Sequence, residues 1–337
     1  NRLVLDNGDE IDYDNLLIAT GSSPVRAPVP GADGGDVHSF WTLGQAREVT
    51  AGLKPGSQVA MIGAGFISFT ILNALIKRGV ELTIIEIAPR ILPRMVDDEG
   101  AAIVQGWLEE RGIKIMAGVE VTSIEDVSGG GKTVKLKSGA DVDADLVIMA
   151  TGIKTNLEWL EGSGIEVNQG VLVNDHLRSS ESNVYAAGDV AEGPDLLSDG
   201  KVVHAIEPTA MQHGRVVGAN MAGVDTAFEG SLLMNIVDVL DLEIASFGRW
   251  DDEELEVVRV VKADRPAYRK LLFEEGRLVG AILLGRTRDI WATNDVGMIK
   301  GLVQSKCDLS EWKAHLKKNP FDIKRAYLAA GAAGNLI

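Results

Sequence analysis

Cysteine is almost missing from this sequence. Cys307 is the only one in 337 residues, which excludes an intrachain disulfide and fits a reducing cytoplasm; the residue itself reads as a small buried apolar side chain. Long hydrophobic runs are lacking as well. The longest, such as residues 278–284, fall far short of the ~20 residues that a membrane-spanning helix needs. Positive charge is scarce: 33 Lys and Arg face 49 Asp and Glu, and the net charge of −16 argues against nucleic acid or an anionic membrane as partner. His38, His176, His204, His213 and His315 show no metal-ligand spacing. No nucleophilic triad stands out either, so neither a catalytic side chain nor a metal site is expected. No basic-then-apolar leader opens the chain. Asn1 starts in mid-strand without an initiator Met, so the natural beginning is expected to lie further upstream.

What is abundant is glycine, 38 residues, many in Gly-x-Gly or Ala-Thr-Gly settings where backbone approaches a ligand. One pattern occurs twice, at residues 8–21 (GDEIDYDNLLIATG) and 139–152 (GADVDADLVIMATG), as expected of one supersecondary unit used twice. Upstream of the second copy, Val59-Ala60-Met61-Ile62 runs into Gly63-Ala64-Gly65, an apolar strand entering a glycine turn. The same spacing puts the matching turn of the first unit ahead of residue 1. The expectation is therefore two nucleotide-binding domains, the first lacking its front.

Local signals fill in this plan. A hairpin is expected around Asn7-Gly8, leading to a buried strand at residues 16–19. Pro and Gly cluster over residues 24–35 as a crossing loop, and residues 41–53 have helical spacing up to Lys54-Pro55-Gly56. A βαβ unit follows: strand 58–62, helix 66–78 capped by Gly79, strand 81–86. Acidic residues 97–99 open a helix that ends near Gly112. A hairpin at residues 119–125 and 132–137 precedes a buried strand at 145–150. Beyond residue 152 come extended segments and a helix at about 208–221 with Ala210, Gly214 and Gly218 on one face. From Phe228 the composition shifts to alternating strands (255–261, 268–273, 278–284) and two helices (296–304, 309–318). The fold class expected is α/β with two Rossmann-like domains, 1–42 with 154–228 and 43–153, followed by an α+β domain at 229–337.

Gly63-Ala64-Gly65-Phe66-Ile67-Ser68 matches a dinucleotide fingerprint except at its last position. The first glycine permits the tight turn, and the second lets N–H groups reach a pyrophosphate at the helix N-terminus. Ser68 is a mild replacement for the third. Glu86 ends the next strand, where a carboxylate binds adenosine ribose hydroxyls and repels a 2′-phosphate; Arg90 and Arg94 follow closely and would soften that preference. Ala19-Thr20-Gly21 and Ala150-Thr151-Gly152 each close a buried strand. Ala187-Gly188-Asp189 puts an acid after a glycine at a strand end, and its residues leave a capping turn and a ligand-binding acid equally open.

In this order the pieces resemble the FAD-dependent pyridine nucleotide-disulfide oxidoreductase superfamily. The likeness rests on Tyr13-Asp14-Asn15-Leu16-Leu17-Ile18-Ala19-Thr20-Gly21-Ser22, on the 63–68 turn, and on Glu86 with Pro89-Arg90-Ile91-Leu92-Pro93. Residues 150–156 and 184–190 complete it. The segments 230–235 and 270–281 are similar to the branch of NADH:rubredoxin reductases, NADH oxidases and nitrite reductase flavoprotein parts. The resemblance implies that Asp189 bonds the flavin ribityl chain and that Gly188 lets it approach. It further implies that the helix from Pro208-Thr209 points at the flavin, that Thr20-Gly21 lies against FAD and Gly152-Ile153 against NAD, and that the C-terminal domain forms a homodimer. His204 and His213 flank Pro208-Thr209, where flavin-facing and packing roles are both open. Two departures matter: Ser68 and Thr70 stand where the family has Gly and Glu, and neither the FAD glycine fingerprint nor redox cysteines are present.

The sequence therefore predicts an NADH-dependent FAD flavoprotein oxidoreductase with no catalytic side chain of its own. Its acceptor is a rubredoxin- or ferredoxin-like protein, oxygen or a small molecule. The competing reading is a flavin-free NAD-binding and dimerisation module. Leu232, Leu233, Trp250 and Trp291 are expected to be exposed at the dimer interface, with filling of the domain's own core as the alternative.

Overall fold

The computed structural model describes residues 1–262, 265–287 and 290–331, without the side chains of residues 290–294. It divides into two compact units, residues 1–23 with 153–233 and residues 24–152 with 234–337.

The second unit is built on a five-stranded parallel sheet in the order Val37–Ser39, Leu146–Met149, Gln58–Ile62, Glu81–Glu86, Lys114–Ala117. Period-two alternation between two covered faces explains why the central strand is apolar and buried from Val59 to Ile62. Val59 and Met61 enter one core, while Ala60 and Ile62 enter another on the opposite face with Val134 and Leu136. The helix Phe66–Lys77 buries Phe69, Leu72 and Leu75 at helical spacing and stops where Gly79 adopts φ +74°. The helix Asp98–Glu109 is capped by Asp97, whose carboxylate accepts from Gly100 N at 3.0 Å. Val37–Ser39 was not expected as a strand; it follows the Pro- and Gly-rich crossing loop and adds an edge to the sheet.

The C-terminal part is an antiparallel sheet in the order Met234–Val239, Leu242–Gly248, Arg277–Arg286, Ala267–Glu274, Glu256–Lys262. Its Val237, Ile244, Tyr268, Leu272 and Ile282 share one core with Phe69, Leu72, Val104 and Trp107 of the parallel-sheet layer. The helix Ile290–Ser305 packs on Arg277–Arg286, and the helices Ser310–Lys318 and Ile323–Ala329 follow. The first two strands of this sheet escaped the sequence reading because their connection carries no glycine. Leu240 and Asp241 both take positive φ, +48° and +67°, the geometry of a two-residue primed turn. Tertiary contacts hold it: Trp107 Nε1 donates to Leu240 O at 3.0 Å, and Leu240 N donates to Asn73 Oδ1 at 2.8 Å.

The expected exposure of the C-terminal apolar residues is corrected. Leu232 and Trp250 are buried and Leu233 is half-buried; Trp250 belongs to the core of the second unit. The side chain of Trp291 lies outside the described residues.

In the first unit the strand Leu16–Ile18 pairs in parallel with Val184–Ala186. Ile18, Val171, Val184, Tyr185, Val190 and Val217 form its core. The helix Glu207–Met221 supplies Val217 to that core, and its N-terminal turn contains Pro208.

Candidate nucleotide and flavin sites

In the second unit the strand Gln58–Ile62 has Glu81–Glu86 on one side and Leu146–Met149 on the other. Connections therefore leave this strand in both directions, and the crevice beyond its carboxyl end is a switch point of the kind that binds ligands. The glycine turn occupies this place. Gly63 sits at φ +99°, and a Cβ there would lie 2.4 Å from Ala150 O, so two strand ends cross too closely for any side chain. Gly65 is the N-cap of the helix Phe66–Lys77 and receives no side-chain cap bond, and a Cβ on it would meet nothing within 4 Å. An uncapped helix start with open space over its cap residue suits an anion such as a pyrophosphate. Phe66 and Ile67 are half-buried in the first turn. Ser68 is fully buried, and its hydroxyl donates to Gly63 O at 2.6 Å, so the departure from glycine closes the turn by a hydrogen bond. Thr70 is exposed and bonds back to Ile67 O.

Glu86 is buried at the end of its strand. One carboxylate oxygen accepts from Ala64 N at 2.6 Å and the other from Ala88 N at 2.8 Å. The acid is thus fixed beside the glycine turn, with acceptor capacity left on both oxygens. Arg90 is engaged elsewhere: it donates to Val96 O at 3.2 Å and pairs with Asp98 at 3.0 Å. Arg94 is exposed. Gly152 ends the neighbouring loop at φ +122° with nothing within 4 Å of a Cβ. Thr151 is anchored by its hydroxyl to Val25 O. Ile153 opens the strand Ile153–Thr155 in the first unit.

In the first unit Ala187 N donates to Ile18 O at 3.0 Å, which aligns the two strand exits. Gly188 adopts φ +75°, and a Cβ on it would stand 3.5 Å from Ala210 Cβ, so the turn packs on the start of the helix Glu207–Met221. Asp189 is half-buried, and its Oδ2 accepts from Ser22 Oγ at 2.7 Å. Thr20 donates to Asn156 O, while Asn156 bonds Thr20 O and Ser23 Oγ, tying the Thr20-Gly21 exit to the next segment. Thr209 is buried, Pro208 half-buried, and the N-cap Ile206 offers no side-chain bond. This 15-residue helix therefore starts without a side-chain cap, and the acid in its first turn, Glu207, is exposed.

Ser22 and Asn156 are not site candidates in the sequence, because their partners lie far along the chain. For His213, whose flavin-facing and packing roles the sequence leaves open, the structure shows a buried ring whose Nδ1 accepts from Gly188 N at 3.2 Å. Burial, helped by the neighbouring His204, pushes the imidazole pKa down to about 4. Burial also lowers His204, whose Nδ1 meets Ser231 Oγ at 2.7 Å. Among the described residues no cluster of His, Cys, Asp or Glu could hold a metal. No helix there is long and apolar enough to cross a membrane.

Comparison with known proteins gives the family. The profile of the pyridine nucleotide-disulphide oxidoreductase family matches residues 1–214, and that of the rubredoxin NAD+ reductase C-terminal domain matches residues 234–296. The chain belongs to the pyridine nucleotide-disulphide oxidoreductase family. It is 30% identical to the NADH-dependent phenylglyoxylate dehydrogenase subunit epsilon of Aromatoleum evansii, over 98% of this chain and 77% of that one. It is also 30% identical to the assimilatory nitrate reductase electron transfer subunit of Bacillus subtilis (strain 168), over 86% of this chain but only 37% of the relative's length. Among solved structures, a NAD-dependent persulfide reductase from A. fulgidus superposes with a TM-score of 0.81 at 27% identity, covering 90% of this chain and 59% of that one.

Proposed function

We propose that the chain is an NADH-dependent FAD flavoprotein oxidoreductase that delivers electrons to a rubredoxin- or ferredoxin-like protein, to oxygen or to a small molecule. The observation that carries this reading is the pair of strand exits built alike. One ends in an uncapped helix with open space over Gly65 and a fixed Glu86. The other ends in a left-handed Gly188 with Asp189 held by Ser22. The residues present fit NADH and the ribityl and ring side of FAD, while the glycine turn that would hold the FAD pyrophosphate is not among them. The first exit offers backbone donors to a pyrophosphate and a carboxylate to ribose hydroxyls; the second offers a carboxylate acceptor to a polyol and a helix N-terminus to developing negative charge.

FAD would supply the two-electron acceptor for NADH hydride and the relay to the final acceptor. The protein's own part is binding and orientation. Gly63 and Gly65 bring backbone N–H groups to the dinucleotide, and Glu86 selects the 2′-hydroxyl over a 2′-phosphate. Arg90, tied to Asp98 and Val96 O, does not counter that selection. Thr20, Gly21, Gly188, Asp189, Pro208 and Thr209 take the flavin side, and Gly152 and Ile153 the nicotinamide side. Residues 1–42 with 154–228, 43–153 and 229–337 would serve as FAD-binding, NAD-binding and dimerisation parts of a cytoplasmic homodimer. Light scattering on the full chain tests the assembly: a dimer mass is expected and a monomer rejects it.

The experiment for the activity is reconstitution with FAD, removal of free flavin by gel filtration, and a spectrum. Retained flavin bands support the reading. A colourless protein that still binds NADH would instead establish a flavin-free nucleotide-binding module.

A further inference from the structure

His213 lies in the middle of the helix Glu207–Met221 and is 2% exposed. Its Nδ1 lies 3.2 Å from Gly188 N. A backbone N–H can only donate, so Nδ1 carries the lone pair and the ring proton sits on Nε2. That Nε2 is buried without a hydrogen-bond partner among the described residues. The ring edge meets Phe228 at 4.7 Å in a T-shaped contact. A buried unpaired donor costs about 1–3 kcal/mol, and an apolar side chain would fill the position without that cost. The imidazole therefore earns its place through the one bond it makes, to the amide of the left-handed glycine that precedes Asp189.

We propose that His213 is the positioning residue of the Gly188-Asp189 turn: as a neutral acceptor it holds the Gly188 amide, and with Ser22 it fixes the direction of the Asp189 carboxylate toward the ribityl chain of FAD. The proposal deepens, and rests on, the reading of this turn as a flavin site. Two anchors act on adjacent residues from different elements. Ser22 Oγ grips the carboxylate at 2.7 Å, and His213 grips the backbone before it. Gly188 at φ +75° has a left-handed conformation that L side chains rarely adopt, and the His213 bond holds the amide in it.

The test uses the full chain with His213→Leu, which cannot accept, and His213→Asn, whose side-chain oxygen can take the place of Nδ1. FAD affinity is measured by quenching of flavin fluorescence, NADH affinity by calorimetry, and Gly188 amide exchange by NMR on the ligand-free protein. His213→Leu is expected to weaken FAD binding by roughly tenfold or more and to speed Gly188 exchange by a similar factor. NADH binding should stay unchanged. His213→Asn should restore both FAD binding and exchange to within about threefold. Wild-type FAD affinity or wild-type Gly188 exchange in the Leu variant overturns the proposal. If the Leu variant does not fold, the Asn variant and the ring 15N shifts of the wild type decide: an Nδ1-protonated tautomer overturns it. If the wild type binds no FAD, the flavin reading fails separately, and the exchange data still decide whether His213 holds the turn.

Discussion

Alanine at Gly65 and alanine at Gly63 should have opposite consequences, although the two glycines are two positions apart. Gly65 has φ −85° and ψ −175°, a region open to any residue, and a Cβ there meets nothing within 4 Å. The unfolded chain loses freedom on gaining a side chain, which stabilises by about 0.4–1 kcal/mol. Alanine is a poorer N-cap than glycine by a comparable amount, so net stability should stay within about 1 kcal/mol of the wild type. The new methyl would nevertheless occupy the space through which the pyrophosphate reaches the helix start. Loss of one charge-assisted bond to that group, about 1.5–3 kcal/mol, corresponds to roughly a ten- to hundredfold loss of NADH affinity. Gly63→Ala is the reverse case. Its φ of +99° is unfavourable for an L-residue, and the methyl would lie 2.4 Å from Ala150 O. That carbonyl cannot retreat easily, because Ala150 N donates to Ile62 O at 2.9 Å. A loss of about 3 kcal/mol or more is expected. Calorimetric titration with NADH and urea denaturation of both variants are the assays. NADH binding by Gly65→Ala within twofold of wild type refutes the placement of the dinucleotide over this turn, and a Gly63→Ala protein of wild-type stability refutes the close crossing of Gly63 and Ala150.

Four further outcomes are expected. Glu86→Arg should shift the NADH-to-NADPH affinity ratio toward NADPH by roughly tenfold or more, since it replaces a repulsive carboxylate by a cation; an unchanged ratio in competition binding would mean that Glu86 serves only Ala64 N and Ala88 N. Asp189→Ala should weaken FAD retention by about 1.5–3 kcal/mol, read from flavin release on dialysis, and Ser22→Ala by less. Stability should fall as the pH drops from 6.5 toward about 4, because in that window the unfolded His213 binds a proton that the folded imidazole refuses. At roughly 1.4 kcal/mol per pH unit, the loss approaches ~3 kcal/mol. Denaturation of the wild type and His213→Asn across this range isolates it from the like-signed effect of His204, and an identical pH slope would rule it out. Asp241→Gly should stabilise the protein by about 0.5–1 kcal/mol, because the residue sits at φ +67° in an exposed turn; lower stability in urea would show that its side chain serves the hairpin.

The part of this architecture that the sequence exposes is the part governed by local chemistry. The strand ending at Ile62, the glycine turn at Gly63 and Gly65, the Gly79 cap and Glu86 at a strand end all follow from residues within one βαβ unit, and the structure shows those elements at those positions. The hairpin at Leu240-Asp241 is hidden because its backbone is imposed by Trp107 and Asn73, over a hundred positions away in sequence. Trp250 and Leu232 look like interface residues only because composition does not reveal that both are buried within the chain. The anchors of the Gly188-Asp189 turn were hidden for the same reason. Ser22 meets Asp189 across 167 positions and His213 meets Gly188 across 25, and neither pairing leaves a periodic trace. Ser68 shows the limit of a motif: a mismatch in the fingerprint proves to be a hydroxyl bonded to the first glycine of the turn.

The central claim is that this chain carries hydride from NADH to FAD, and anaerobic mixing of NADH with the FAD-loaded chain tests it most directly. Bleaching of the flavin bands by one equivalent of NADH is predicted, with Gly65→Ala bleaching far more slowly at the same concentration. Oxidised flavin that persists while NADH is shown to be bound would contradict the account.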